Sequence, residues 1–559
     1  MGCALQRRRD RGCRHAACGN PARARRTERG RDGARGRDGI RDGRRPETVL
    51  PDGARIDRAR RPGSGRPGHR RRAPSGRLSR SARGARVADP ASFGSGPMIG
   101  ERLRPLFVPA LVAIALIGVG CSPEDVENPD QRPVGSLADL ASLPDRDDLN
   151  ILFILVDTLR SDRMSAYGYE RETTPLLHYF ANTGIRFEQH WAQSSWTKTS
   201  MASLWTGLYP ARTEVLSHRD VVAPAAELPA EILAGAGFTT AGIWRNGWVA
   251  PNFGFAQGFE VYMTPTGRQA PSAMRKPPAA GRIDGTDIDL VFSAIEFMRA
   301  NGDRRWFLYL HMMDVHQYIT TPDSALFGSS YSDAYDNAVR WTDEQVGMIL
   351  AELHALGLAQ KTLVVLVSDH GEAFGEHGSE GHARNVFSEV VRTPFLLIPP
   401  FRMDTGIVVP FPTQNVDVWP TLYDLVGVKG PAERDGTSLL PLLLERRAVP
   451  GRDLSISHLD RAWGKKEKDP APVVGIRDGT YRLIHDSQSP DRDLLFDVDA
   501  DPGEFSDVAS SFRGIVADLR ARVDAYLDQA SPWEGGAPQI ELDEMHLRQL
   551  RALGYSVED

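Results

Sequence analysis

Cysteine is almost missing from this chain. Of 559 residues only Cys3, Cys13, Cys18 and Cys121 are cysteines, and none follows position 121. Everything after Cys121 therefore folds without an internal disulfide and without a thiolate metal site. Lysine is absent from residues 1–97, which hold 27 arginines against 9 acidic residues and few apolar ones. Such a segment cannot bury enough surface to offset its ordering entropy, and we expect it to be disordered. Its charge also masks that of the rest. The formal net charge of −5 averages a basic arm with a strongly acidic remainder. Long hydrophobic runs are lacking too. Leu106 to Gly120 is an apolar stretch of 15 residues, short for a bilayer span and suited to the core of an export signal.

Met98 opens that signal, with Arg102 and Arg104 as its basic start. Gly118-Val119-Gly120-Cys121 closes it and resembles a bacterial lipoprotein signal, in which the cysteine is lipidated and becomes the mature N-terminus. Gly118 departs from the leucine usual three residues before that cysteine. On this reading translation starts at Met98, residues 1–97 are an upstream artefact, and residues 98–121 are the signal. The Pro-, Asp- and Glu-rich residues 122–147 would be a linker holding the protein outside the cytoplasm, at a membrane surface of the cell envelope. An uncleaved N-terminal anchor would place it at the same surface. An arginine-rich arm alone suggests nucleic acid; the export signal behind it argues against that partner.

Three short, continuous apolar runs end in metal-binding residue types. Ile151-Leu152-Phe153-Ile154-Leu155-Val156 ends in Asp157. Trp306-Phe307-Leu308-Tyr309-Leu310 ends in His311, Asp314 and His316. Leu363-Val364-Val365-Leu366-Val367 runs into Ser368-Asp369-His370-Gly371-Glu372, with His377 and His382 beyond. Runs of this kind suit strands buried on both faces, as in a parallel sheet covered by helices. Ligands of such sheets bind beyond the carboxyl ends of the strands. Three runs ending in carboxylate or imidazole therefore point to one shared metal site.

Residues 149–400 alternate apolar runs with helix-like periods, the pattern of an α/β domain. Helices are expected from Pro175 to Gly184, over 200–205, from Leu228 to Ala236, from Asp287 to Ala300, from Ala334 to Leu356 and from Asp417 to Val426. A strand is expected at Gly237 to Ile243. From about 450 the texture changes. Short runs at Val473–Arg477, Tyr481–Ile484 and Leu494–Asp497, separated by Asp-Gly and Pro-Asp turns, argue for a small antiparallel sheet. Helices from 513 to 529 and from Leu542 to Tyr555 follow it. The expected division is a main domain over 148–450 and a C-terminal subdomain over 451–559.

A succession of short motifs goes further. Leu155-Val156-Asp157-Thr158-Leu159-Arg160-Ser161-Asp162, Tyr167-Gly168-Tyr169 and Thr174-Pro175 come first, then Thr206-Gly207-Leu208-Tyr209-Pro210. Ser368-Asp369-His370-Gly371-Glu372 with Gly381-His382 follows. Asp417-Val418-Trp419-Pro420-Thr421 and Asp435-Gly436-Thr437-Ser438-Leu439 are next, and Tyr481-Arg482-Leu483 and Asp497 to Glu504 close the series. Across roughly 148 to 559 this order resembles the sulfatase-type hydrolases of the alkaline phosphatase superfamily. The resemblance implies an α/β, alkaline phosphatase-like fold: a largely parallel central sheet sandwiched by helices, with a smaller C-terminal antiparallel-sheet-plus-helix subdomain. It implies a metal-dependent hydrolase of sulfate or phosphate esters.

The chain departs from that family at the nucleophile. Sulfatases oxidise a Cys or Ser to formylglycine within Cys/Ser-x-Pro-x-Arg, a fixed distance before Thr-Gly. Counting back from Thr206-Gly207 places Thr197 at the nucleophile, Thr199 at the Pro and Met201 at the Arg. Thr197 cannot become formylglycine by that route, and matches the Thr nucleophiles of phosphodiesterases and lipid phosphotransferases in the superfamily. The family's Lys-Trp-His segment is also missing, with Trp244-Arg245-Asn246 standing nearest to it.

The metal ligands that the resemblance implies are Asp157, Asp369 and His370, with Thr197 as fourth contact and nucleophile. The divalent cation they hold would lower the pKa of that hydroxyl; calcium, manganese and zinc all fit. His316 matches a substrate-binding position, and His382 a position that contacts the transferred group. Either could instead bind a second metal with Asp314 or His311. Duller roles stay open: Thr197 as a helix N-cap, His316, His377 and His382 as surface histidines, Arg160 in a structural ion pair. Asn246 could replace the missing cation. Small-molecule, glycan and lipid esters are all candidate substrates, phosphoesters favoured because Thr197 offers only a hydroxyl. Two readings compete. A lipid-linked phospho-headgroup transferase usually carries several transmembrane helices, absent here. A catalytically lapsed binding protein would not need to keep Asp157, Asp369 and His370.

Overall fold

The computed structural model describes residues 130, 132–265, 285–445, 454–463 and 469–552. The basic arm, the expected export signal at 98–121 and Cys121 lie outside the described residues.

Eight strands form the central sheet: β1 (Asn150–Val156), β2 (Ile185–Trp191), β3 (Thr239–Trp244), β4 (Val261–Met263), β5 (Trp306–Met312), β6 (Thr362–Val367), β7 (Arg392–Ile398) and β8 (Ile407–Gln414). Their order across the sheet is β8-β2-β7-β6-β1-β5-β3-β4. β7 alone runs against its neighbours; the other pairs are parallel. The three apolar runs are thus adjacent, with β1 between β5 and β6. Every residue of these three strands is buried, as a sheet covered on both faces requires.

Alternation along β1 divides the core in two. Ile151, Phe153 and Leu155 join one cluster, Leu152, Ile154 and Val156 the other. Helices α1 (Pro175–Thr183), α2 (Thr197–Thr206), α3 (Asp287–Asn301), α4 (Tyr331–Ala355) and α5 (Val418–Leu425) supply the facing side chains. On the first face Phe153 stacks on Trp419 of α5, with ring centroids 5.2 Å apart and planes 6° from parallel. Trp205 of α2 meets Tyr309 edge-on at 4.9 Å. On the second face Leu177 of α1, Leu290 of α3 and Val346 of α4 pack against Leu152 and its neighbours. The helix expected over 200–205 begins three residues earlier, at Thr197. It ends at Gly207, whose φ of +69° suits a residue without Cβ and whose N–H bonds the Ser203 carbonyl.

Beyond Arg132 the chain is already docked. Val134–Gly135 pairs with Arg402–Met403, and Leu140 and Leu143 enter the core. At the other end β9 (Ser455–Asp460), β10 (Pro472–Asp478), β11 (Tyr481–Asp486) and β12 (Leu494–Asp497) make the four-stranded antiparallel sheet. Leu519, Val523 and Tyr526 of α6 (Arg513–Leu527) pack on it, and α7 (Glu544–Ala552) follows. No helix among the described residues is long and apolar enough to cross a membrane.

One buried ion pair joins the small sheet to the main body. Arg482 Nη1 lies 2.6 Å from Glu504 Oε1, both side chains shielded from solvent. Arg482 Nη2 donates to the Val386 carbonyl, and Glu504 Oε2 accepts the Ser388 N–H at 2.8 Å. Removing one partner leaves a buried charge alone. We expect Arg482→Met to lower unfolding stability in urea by about 3–5 kcal/mol. The double variant Arg482→Met/Glu504→Leu should recover much of that loss, whereas equal destabilisation of both variants would mean that the two charges are not energetically coupled.

Candidate active site

The carboxyl ends of four neighbouring strands converge. Asp369 follows β6, Asp157 follows β1, His311 lies near the end of β5 and Asn246 follows β3. All four are buried. Asp157, Asp369 and His370 offer ligand atoms within 4.8 Å of one another. His370 Nε2 is 3.4 Å from Asp369 Oδ2 and 4.0 Å from Asp157 Oδ1. Those two carboxylate oxygens are buried and accept no hydrogen bond. Asp369 Oδ1 is already taken by the N–H groups of Thr158 and His370, and Asp157 Oδ2 by Asn246 Nδ2 at 2.6 Å and His311 Nε2 at 3.0 Å. His370 Nδ1 donates to the Gly371 carbonyl at 2.9 Å, which leaves the Nε2 lone pair facing the free oxygens. Two orphaned carboxylate oxygens and an imidazole lone pair around one point are a donor set for a hard or borderline divalent cation.

Charge supports the same reading. Burial pushes the Asp369 carboxyl up, and the neighbouring Asp157 charge pushes it further. Burial would raise Asp157 too, but His316, His311 and His370 together outweigh it and hold Asp157 low. Two carboxylates so close in a dry site need a cation to be ionised together.

The backbone is bent to build this. Thr158 has φ of +60°, an unfavourable conformation for a β-branched residue. It is clamped there: Tyr335 donates to its carbonyl at 2.7 Å, and its N–H reaches Asp369. Ser200 of α2 donates to the Asp369 carbonyl at 2.6 Å, tying the helix to the end of β6.

Thr197 is the first residue of α2, and Trp196 occupies the cap position. Its hydroxyl does not cap the helix. Thr197 Oγ1 lies 3.1 Å from His370 Nε2 and accepts from Asn246 Nδ2 at 3.3 Å. Every residue of this helix is buried, so its N–H groups face the site in a dry setting favourable to an anion. The half-buried His316 and His382 rings stand 5.0 Å apart, and His382 is 4.6 Å from His370. Burial draws His316 down to about 4. For His382 burial also lowers the pKa, but the Glu372 carboxylate, 3.2 Å from its Nδ1, outweighs it and raises the value.

Other candidates are engaged elsewhere. Asp314 pairs with Arg245 at 2.6 Å and accepts from Gln345, so it serves a structural network. His377 is stacked on Phe387 at 3.8 Å and bonded to Glu389. Arg160 is held by Asp162, Glu376 and the Glu372 carbonyl. Lys198, beside Thr197 in sequence, donates to the Ser217 and His218 carbonyls and lies over the Phe253 ring at 3.7 Å. Its burial holds the ammonium well below its usual range. Glu372 had no role assigned from sequence, though it stands inside the quoted Ser-Asp-His-Gly-Glu motif. Thr158 carried no sequence signal of its strained conformation.

Comparison with known proteins agrees with this architecture. The Sulfatase family model matches residues 149–428, and the model for the C-terminal part of N-sulphoglucosamine sulphohydrolase matches 375–529. The chain is 28% identical to the steryl-sulfatase of Rattus norvegicus over 53% of its own length and 70% of that protein. It is 24% identical to the choline-sulfatase of Rhizobium meliloti over 69% of its length and 87% of that protein. Among solved structures, the phosphonate monoester hydrolase of Agrobacterium radiobacter superposes with a TM-score of 0.53 at 20% identity, covering 70% of this chain and 100% of that one.

Asp369→Asn removes one of the two orphaned oxygens. Metal content after dialysis should then fall, with affinity for a divalent cation weaker by about tenfold or more. Asp314→Asn, whose carboxylate faces Arg245, should keep its metal. Equal occupancy in wild type and Asp369→Asn would remove Asp369 from the site.

Proposed function

The chain belongs to the sulfatase family, and from that premise we propose a metal-dependent hydrolase that uses Thr197 as nucleophile and prefers phosphoesters to sulfate esters. The family membership itself makes it a sulfuric or phosphoric ester hydrolase. The nucleophile assignment rests on one observation: Thr197 Oγ1 sits at the mouth of a buried helix, 3.1 Å from His370 Nε2 and beside the two orphaned carboxylate oxygens. A divalent cation held by Asp157, Asp369 and His370 would supply Lewis-acid stabilisation of the ionised hydroxyl and of charge growing on the ester oxygens.

The chain's own residues then divide the work. Asn246 Nδ2 donates to Thr197 Oγ1 and fixes its direction. The ionised Oγ attacks phosphorus; the Oγ–P bond forms as the ester P–O bond breaks. The leaving oxygen takes a proton from His382, whose charged form Glu372 stabilises. A water then attacks the phosphorus of phospho-Thr197, returns a proton to His382 and releases phosphate with the Thr197 oxygen still ionised. A threonine sulfate ester lacks the second hydroxyl of the formylglycine hydrate, so it must await direct attack on sulfur. That asymmetry favours phosphoesters. Few fixed cations stand near Thr197, which further favours esters carrying a single negative charge, such as phosphodiesters and phosphonate monoesters. The names of the relatives point to sterol and choline esters and the C-terminal family model to a glucosamine derivative, so we place small-molecule and glycan esters first among substrates. We also place the protein outside the cytoplasm, tethered at a membrane by lipid on Cys121.

Thr197→Ala should lose about 10²-fold or more in turnover of aryl phosphodiesters, because a water must replace a positioned nucleophile. Thr197→Ser should keep part of it, and aryl sulfates should turn over more slowly than aryl phosphodiesters. Intact turnover in Thr197→Ala would pass the attack to water. Intact-mass analysis of native protein should show a lipid adduct at Cys121 and no peptide from residues 1–97; such a peptide would overturn the proposed start at Met98.

A further inference from the structure

His382 reaches the site on an unusual piece of backbone. Ala373–Phe374 pairs antiparallel with Glu380–Gly381. The chain doubles back there and sets His382 beside Glu372, whose Oε2 lies 3.2 Å from His382 Nδ1. The residues on either side of His382 are both left-handed: Gly381 has φ of +82° and Ala383 φ of +56°. Glycine adopts that region freely. Alanine does not, because its Cβ crowds the neighbouring carbonyl. An alanine stays there only where its surroundings forbid an easier conformation.

Ser195 supplies that constraint. Its carbonyl accepts the Ala383 N–H at 2.9 Å, and its hydroxyl donates to the Asn385 carbonyl at 2.6 Å. Ser195 is fully buried. Its two bonds bracket Arg384 and grip the turn immediately after His382. The far side of that turn is fastened too: Asn385 Nδ2 donates to Ser379 Oγ at 2.8 Å, and Asn385 Oδ1 accepts the Phe387 N–H at 3.2 Å. Ser195 stands two residues before Thr197, at the entry to α2. One serine therefore ties the segment that carries Thr197 to the segment that carries His382, without touching Asp157, Asp369 or His370.

We propose that Ser195 is a positioning residue, which holds Ala383 left-handed and so fixes the His382 imidazole relative to the Thr197 hydroxyl. This rests on the reading of His382 as the acid that protonates the leaving oxygen. In that step the ester P–O bond breaks and its electron pair stays on the leaving oxygen. That oxygen takes the proton from His382 Nε2, since Nδ1 faces Glu372. A serine that only supported the fold would slow all esters alike. A serine that aims the acid matters most where the leaving oxygen needs its proton.

The test compares wild type and Ser195→Ala on two aryl methyl phosphodiesters that differ only in the leaving group, para-nitrophenol and phenol. The readout is kcat/KM, which follows the step that breaks the leaving bond. para-Nitrophenolate departs unprotonated, whereas phenolate is a poor leaving group. A positioned general acid contributes about 10²- to 10⁴-fold, so its displacement should cost Ser195→Ala about tenfold on the phenyl ester and less than about threefold on the para-nitrophenyl ester. Metal content after dialysis should stay that of wild type. Ala383→Gly, added to Ser195→Ala, should restore part of the loss, because glycine keeps the left-handed turn without the clamp. His382→Gln is the reference and should show the same selectivity with a larger loss. Equal losses on both esters in Ser195→Ala, no loss on either, or no recovery in Ser195→Ala/Ala383→Gly would each overturn the inference. An unselective His382→Gln would overturn the acid assignment and this inference with it. A selective His382→Gln beside an unselective Ser195→Ala would overturn this inference alone.

Discussion

The structure is organised around two carboxylate oxygens that the protein leaves without hydrogen bonds. Asp157 Oδ1 and Asp369 Oδ2 are fully buried, close together and alike in charge. Such an arrangement is unfavourable in a dry interior unless a cation balances it. Each partner oxygen, by contrast, is fully used: Asn246 and His311 on Asp157, backbone N–H groups on Asp369. The bonds that are made orient the carboxylates, and the bonds that are withheld mark the candidate metal site.

Holding that arrangement is what the sheet does. β6, β1, β5 and β3 run parallel and in register, so their carboxyl ends arrive at one edge together. The aromatic layer beneath, Phe153 with Trp205, Tyr309 and Trp419, fixes α2 and α5 against β1. Because α2 is anchored there and tied to Asp369 through Ser200, Thr197 has little freedom relative to the carboxylates. The strained Thr158 belongs to the same logic. Its left-handed turn is compensated by Tyr335, which accepts the Arg160 N–H and donates to the Thr158 carbonyl.

What could be read in the sequence was what burial on both faces writes there. β1, β5 and β6 are continuous apolar runs because neither face meets water, and their ends were visible because a charged residue after such a run needs a reason. The sulfatase resemblance then implied Asp157, Asp369 and His370 as ligands, and these three do meet. β2, β7 and β8 were not legible. β2 and β7 mix apolar with charged residues, and Pro394, Pro410 and Pro412 interrupt β7 and β8, where the pairing register also shifts. The start of α2 was missed because Thr197, Lys198 and Thr199 look like a loop; tertiary packing overrides their weak propensity. The role of Glu372 depends on His382 folding back over ten residues, which no local pattern encodes.

The nearby cations show why imidazoles, rather than lysine or arginine, stand around the candidate site. Arg245 follows β3 and could have faced Thr197, but Asp287 and Asp314 draw it away into a buried network. Arg160 follows β1 and is claimed by Asp162 and Glu376. Lys198 is next to Thr197, yet one step along a helix turns it to the opposite environment of carbonyls and aromatic rings. Each is fixed by partners that would be left as buried, unpaired charges or acceptors if the cation swung toward the site. The cost of that is several kcal/mol per group. The fold therefore commits His316, His382 and Asn246, rather than lysine or arginine, to the space beside Thr197.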